Sequence, residues 1–256
     1  MSGNVRTKGG HGRSGSVLSG LAVAVGCVLF LGGFVWGALV YQPYTVPTDS
    51  MTPTLAVGSR VLAERVDGAE VRRGDVVVFH DPLWGDSPVV KRVVAVGGDT
   101  VACCDRDGRL TVDGTPVREP YLSPGPGGRV VASGTGFSVT VPGEDLFLLG
   151  DDRFTSLDSR THLQETGRGS VPRSAVVARV DAVVWPAEGL LDRPTGFTGL
   201  PGGVSEPGPV RPLLTAVVAG AVLVLLGAAY GPVARLFTKR PPTGPRAAGR
   251  REKVGT

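Results

Sequence analysis

The chain has 256 residues, 41% of them hydrophobic, with 39 Gly and 21 Pro. That is one or two domains' worth with ample apolar content for a core, and its Gly and Pro fall short of a collagenous or disordered composition. The net charge of +4 sits at the ends: residues 1–16 carry three positive charges and no acid, residues 235–256 a net six, and the stretch between them is left at −5. A basic face for nucleic acid on the middle of the chain is excluded, and no nucleic-acid partner is expected.

After the basic tail 1–16, Val17–Val40 runs 24 residues without a charge. At about 1.5 Å per residue, such a helix crosses a hydrocarbon core of about 30 Å. It is longer than the roughly 7–15 residues of a cleaved signal's apolar region, and no clear A-x-A site follows it, so it reads as an uncleaved anchor. Leu213–Ala234 is a second uncharged run, of 22 residues, ahead of the basic tail 235–256. A purely soluble protein is thereby excluded. Positive flanks mark the cytoplasmic side, and the first Arg after the first span is Arg60, so both ends are expected inside and 41–212 outside, with the lipid bilayer as a partner.

From Tyr41 to Pro186 the text reads as short strands between turns: Val76–Phe79, Val89–Val96, Thr100–Cys103, Leu110–Val112, Phe137–Val141, Leu146–Leu149 and Ala175–Trp185. Asp107-Gly108 and Asp113-Gly114 are hairpin-turn dipeptides. The fold class is mostly β, an extracytoplasmic domain over 41–186 flanked by an N-terminal and a C-terminal transmembrane helix. Residues 187–212, rich in Pro and Gly, are expected to be an extended linker. Cys27 lies in the first span. Cys103 and Cys104 are adjacent and fit a vicinal disulfide, two free thiols or an intermolecular bridge. No Cys/His set completes a metal site, and no cofactor is implied.

Three segments carry chemistry-bearing residues. Ser50, in Thr48-Asp49-Ser50-Met51-Thr52-Pro53, lies ten residues past the first span, so it reaches at most about 35 Å from the membrane. It is a polar turn residue or a nucleophile working near the bilayer surface. In Val89–Val96, Lys91 shares a face with Val89, Val93 and Ala95. There it either guards a strand edge or, if the face is covered, loses hydration and with it its proton, which makes it a base for a Ser hydroxyl. Gly150–Arg160 follows an apolar strand and concentrates Asp151, Asp152, Arg153, Asp158 and Arg160, a loop held by ion pairs and lacking a Ca²⁺-loop pattern. The three His residues fit a Ser-His-Asp site poorly: His11 lies on the cytoplasmic tail, and His80 and His162 sit in turn-like polar contexts.

Taken in order, Ser50-Met51-Thr52-Pro53-Thr54-Leu55, Arg73-Gly74-Asp75-Val76-Val77-Val78-Phe79, Lys91–Asp99 and Gly150–Arg160 closely resemble the blocks of the bacterial type I signal peptidases, over 41–186 plus the first anchor. The resemblance implies a β-rich, membrane-bound serine endopeptidase of the bacterial cell membrane. Such an enzyme cuts signal peptides from secretory preproteins after small residues at A-x-A-like sites, as a monomer. It implies Ser50 as nucleophile and Lys91 as general base. Ser156 would orient the amine, Thr48 would add a donor to the oxyanion site beside the Ser50 amide, and ion pairs of Asp151 with Arg153 and Asp158 with Arg160 would hold the loop. Asp152 stands where the family often has Asn, and many members lack the second span. Two rival readings are a self-cleaving Ser-Lys protease of the SOS-repressor type, which is cytoplasmic and carries a DNA-binding domain, and a membrane-tethered β-rich scaffold without catalysis.

Overall fold

The structure, a computed structural model, describes residues 11–125 and 127–238. Expectations about the tails at 1–10 and 239–256 lie outside the described residues. The chain forms two compact units, one of residues up to Gly33 with those from Thr215 onward, the other Phe34–Leu214.

The first unit is built on the larger parts of α1 (His11–Val40) and α2 (Val210–Thr238), whose last and first turns belong to the second unit; both helices are long and apolar enough to cross a membrane. Each helix is longer than its uncharged run, because a helix end tolerates polar residues that the bilayer core does not. The two backbones touch through glycine. A Cβ on Gly26 would meet the Gly220 carbonyl and the Val224 amide, and one on Gly220 would meet the Phe30 backbone. Beside this contact Ser19 Oγ donates to the Gly227 carbonyl at 2.7 Å. Small residues and a hydroxyl bonded across the pair are what apolar helices use to associate, since lipid tails offer no hydrophobic gain.

The second unit is antiparallel β. Its strands are β1 (Tyr41–Thr45), β2 (Arg60–Glu64), β3 (Val76–Phe79), β4 (Val89–Val96), β5 (Thr100–Cys103), β6 (Leu110–Val112), β7 (Thr115–Pro116), β8 (Phe137–Thr140), β9 (Asp145–Leu149), β10 (Val171–Pro172), β11 (Val176–Trp185) and β12 (Gly189–Leu190). The larger sheet runs β1-β2-β11-β3-β4-β9-β10, with β12 on β11; a second sheet runs β7-β6-β5-β8. The second sheet is an excursion between β4 and β9, and Asp113-Gly114 closes its β6–β7 hairpin with positive φ at both residues.

The seven strands expected from alternation are present to within a residue or so at their ends. Four strands of the larger sheet were not expected: β1, β2 and the two-residue β10 and β12. Pro43 sits inside β1, which is tolerated because β1 is the sheet's edge and the missing N–H faces no partner there. Arg65 then ties β2 to the end of α1, donating to the carbonyls of Ala38 and Leu39 at 3.1 and 3.2 Å. The adjacent Cys103 and Cys104 are joined by a disulfide.

The stretch 187–212 departs from the expectation of an extended linker. Its first part is docked: β12 pairs with β11, Phe197 is fully buried in the core around the second sheet, and Leu200 is buried beside it. Arg73 Nη1 donates to the Pro201 carbonyl at 2.6 Å, Ser205 Oγ donates to Asp75 Oδ2 at 2.5 Å, and Arg193 pairs with Asp181. Composition reports a chain rich in turns; it does not report that one phenylalanine in it finds a hole in the core. Phe197→Ala is expected to cost about 3–5 kcal/mol, read from denaturant unfolding of the full chain in detergent.

Candidate active site

The turn after β1 places Ser50. Its neighbours Met51 and Leu55 are fully buried in the core under the larger sheet, and Leu55 N donates to Met51 O at 2.9 Å, so the turn is anchored by its own apolar residues. Gly58 N and Val46 N close the ends of the segment by bonds to Val46 O and Ser59 O, both 2.9 Å. The far side is held by the loop after β9, where Asp152 N donates to Ser50 O at 3.1 Å. That approach needs a glycine: a Cβ on Gly150 would strike the Ser50 carbonyl and the Ser156 hydroxyl.

β4 brings Lys91. This strand is buried from Val90 to Ala95, with Lys91 opposite Val77 and Arg92 opposite both Val76 and Leu149. Consecutive strand residues point to opposite faces, so both cations go into the interior on different sides. Lys91 is only 3% exposed, and its Nζ donates to Ser50 Oγ at 2.6 Å. Thr48 Oγ1 lies 3.1 Å from the same Ser50 Oγ. Loss of hydration pushes the Lys91 amine down to about 8, although the carboxylates of Asp158, Asp151 and Asp49 pull the other way. An amine with this pKa is uncharged often enough near neutrality to accept the proton of the hydroxyl it touches.

The loop after β9 is fixed by buried ion pairs, two of which differ from the expected pairing. Asp158 does pair with Arg160, at 2.7 Å, and its Oδ2 accepts from Gly150 N at 3.0 Å. Asp151 and Arg153 do not pair with each other: Asp151 bonds Arg92 at 2.6 Å, and Arg153 bonds Glu119 at 2.5 Å. Spacing in sequence shows only local partners, whereas here each charge reaches a different element. Thr54 Oγ1 donates to Asp151 Oδ2 at 2.5 Å, which joins the turn carrying Ser50 to the same pair. Asp152, in the slot read as an Asn position, accepts from the amides of Phe154 and Thr155 at 3.2 Å each.

Ser156 is buried, and its hydroxyl has no hydrogen-bond partner. The bond to the Lys91 amine that its expected role requires is not formed in this structure. Thr155 and Leu157, on either side of it, line the cleft, while Ser156 lines a cavity with Ser133, Arg153 and Arg160. Of the histidines outside α1, His80 is exposed. His162 lines the cleft, with Nδ1 3.0 Å from Glu165 Oε1 and its ring against Trp84. Neither is bonded to Ser50.

The cleft over the pair has a volume of about 620 Å³ and is walled by Val46, Met51, Trp84, Val90 and Leu157. One of its sides is strand backbone. Val89–Lys91 pair with β3, whereas β9 begins its pairing only at Arg92, so these residues present an open edge toward the cleft. Residues missed by sequence reading are Thr54, Trp84, Glu119 and Tyr121, along with a structural role for Arg92. Lys91-Arg92 in an apolar strand was the one signal for Arg92; nothing local marks the others.

With this geometry established, the likeness to known proteins is specific. Residues 17–185 match the family model for signal peptidase, peptidase S26. A probable signal peptidase I of Mycobacterium leprae is 32% identical, over 60% of this chain and 71% of its own length. A signal peptidase I of Bacillus caldolyticus is 36% identical, over 57% of this chain and 81% of its own length. A crystal structure of a signal peptidase I from Enterococcus faecalis aligns at 27% identity with a TM-score of 0.33, covering 47% of this chain and 96% of that one. The acid limb of catalysis is expected near pH 8, with activity falling about tenfold per unit below it as Lys91 protonates. A pH–rate profile of kcat/KM measures it.

Proposed function

This chain belongs to the signal peptidase family, peptidase S26, and is a membrane serine endopeptidase that removes signal peptides from preproteins; on that premise we propose that Ser50 is its nucleophile and Lys91 its general base. The observation that carries the assignment is the 2.6 Å contact between two side chains that are both nearly sealed from water. Neutral Lys91 takes the Ser50 proton as Oγ attacks the scissile carbonyl. The resulting oxyanion is met by the Ser50 amide and by the Thr48 hydroxyl, which already lies 3.1 Å from Ser50 Oγ. Lys91 then passes its proton to the departing amine of the mature protein, leaving an ester of the signal peptide on Ser50. Lys91 next deprotonates a water, which attacks the ester and releases the signal peptide's carboxylate and a regenerated hydroxyl.

An extended substrate suits the open edge at Val89–Lys91, where its backbone adds as a strand. The apolar walls at Val46, Met51 and Val90 then take small side chains at the A-x-A-like positions and exclude larger ones by volume. Both groups of the pair come from one chain, so a monomer suffices. In our reading α1 and α2 span the cell membrane with both ends inside, and 41–186 with its docked extension forms the catalytic domain on the outer face, close enough to the bilayer to meet a signal peptide still held in it. A scaffold without catalysis has no use for a lysine kept dehydrated against a serine.

The test is cleavage of a purified preprotein by the full chain in detergent, beside Ser50→Ala and Lys91→Ala. Both variants are expected to be folded and inactive, and a fully active Lys91→Ala would remove Lys91 as the base. Thr48→Val is expected to lower kcat by about 10²–10³-fold with KM little changed, in steady-state kinetics on the same substrate.

A further inference from the structure

The connection between β7 and β8 sends Glu119-Pro120-Tyr121 against the back of the site. Glu119 is buried and takes both Arg153 Nη1 and Nη2, at 3.0 and 2.5 Å. The same guanidinium donates to the Gly150 carbonyl at 2.9 Å and to Ala132 O at 3.1 Å. Tyr121 OH donates to Glu119 Oε1 at 2.7 Å. The Tyr121 ring lies under Arg92, 3.9 Å from guanidinium carbon to ring centre. Arg92 is then held flat, giving Nε and Nη2 to the two oxygens of Asp151 at 2.8 and 2.6 Å and Nη1 to the Gly74 carbonyl at 2.8 Å.

Through these bonds two residues of the smaller sheet's connection reach both halves of the catalytic pair. Arg92 is the chain neighbour of Lys91. The Gly150–Arg153 turn carries the amide that holds the Ser50 carbonyl, and its Asp151 takes the Thr54 hydroxyl. Neither Glu119 nor Tyr121 lines the cleft. We propose that Glu119 and Tyr121 are positioning residues for the reaction: from outside the cleft they brace Arg153 and Arg92, and so set where Ser50 meets Lys91. The proposal rests on the Ser50–Lys91 reading above.

A brace of this kind has an electrostatic signature that plain scaffolding lacks. The charges facing the Lys91 amine are Asp49 from the turn after β1 and Asp158, Asp151 and Arg160 from the loop after β9; Asp86 and His162 stand on the rim of the same cleft. Tyr121 keeps Arg92 over Asp151 and so compensates that carboxylate. Without the ring Asp151 acts on Lys91 less opposed, favours the ammonium, and moves the acid limb up in pH. Removing the Glu119 charge does the reverse, since Arg153 is then uncompensated and the acid limb moves down.

The experiment uses the full chain in detergent with a purified preprotein and compares Tyr121→Phe, Tyr121→Leu, Glu119→Gln and, as control for the underlying reading, Lys91→Ala. Tyr121→Leu is expected to lose about 10- to 100-fold in kcat with KM within about twofold, as a small misplacement of reacting groups does. Its acid limb should move up, and that of Glu119→Gln down. Tyr121→Phe keeps the ring and should recover most of the activity. A stationary acid limb in both Tyr121→Leu and Glu119→Gln, or a loss confined to KM, would overturn the proposal. If Tyr121→Leu does not fold, Glu119→Gln alone decides by the same criterion. Activity in Lys91→Ala would instead sink the dyad reading, whatever the other variants do.

Discussion

A lysine ammonium keeps its proton because water solvates the charge, and the position of Lys91 removes that water. β4 is covered on both faces, and among the described residues the amine's hydrogen bond goes to the Ser50 hydroxyl. An unfolded lysine titrates at 10.5 and this one at about 8, so the folded chain binds the proton less readily than the unfolded chain. The resulting penalty is full below about pH 8, disappears as pH rises through 10.5, and is on the order of 3 kcal/mol. The rest of the β unit has to supply that energy and also hold the hydroxyl in line.

The hydroxyl is held in line by ion pairs that are themselves buried. Arg92 with Asp151, Arg153 with Glu119 and Asp158 with Arg160 are each largely removed from water. Such pairs add little net stability, because desolvation offsets most of the Coulomb attraction. What they contribute here is direction. A guanidinium that bonds both oxygens of a carboxylate and also a backbone carbonyl has a single way to sit, and the turn it grips has a single position. Ser50 itself makes few bonds; its place is fixed by Thr54, by its own carbonyl and by the apolar residues that follow it.

The same economy appears at the boundary with the helices. The chain that leaves β11 returns across the β unit, buries Phe197 and bonds Asp75 through Ser205 before α2 begins. Arg65 ties the last carbonyls of α1 to β2. Each end of the β unit is therefore fastened to its own sheet rather than suspended on a free tether.

Most of this architecture is legible in the amino-acid sequence, and the reason is local. Two long uncharged runs can only be satisfied by apolar surroundings, alternation with turn dipeptides can only be sheet, and Ser50, Lys91 and the Asp/Arg loop stand in recognisable blocks because their immediate neighbours fix turn and strand geometry. β1 and β2 escaped notice because Pro43 and the polar or charged Gln42, Thr45, Arg60 and Glu64 hide a pairing that only a neighbouring strand makes favourable. The partners of Asp151 and Arg153 and the brace of Glu119 and Tyr121 were invisible for the same reason: ion pairs form across 34 to 59 positions of chain, and nothing within a window of neighbours encodes them. The sequence by itself determined which groups are available for the chemistry. Tertiary structure alone decided which of them meet, because only a folded sheet can carry a lysine out of water and bring a serine to it.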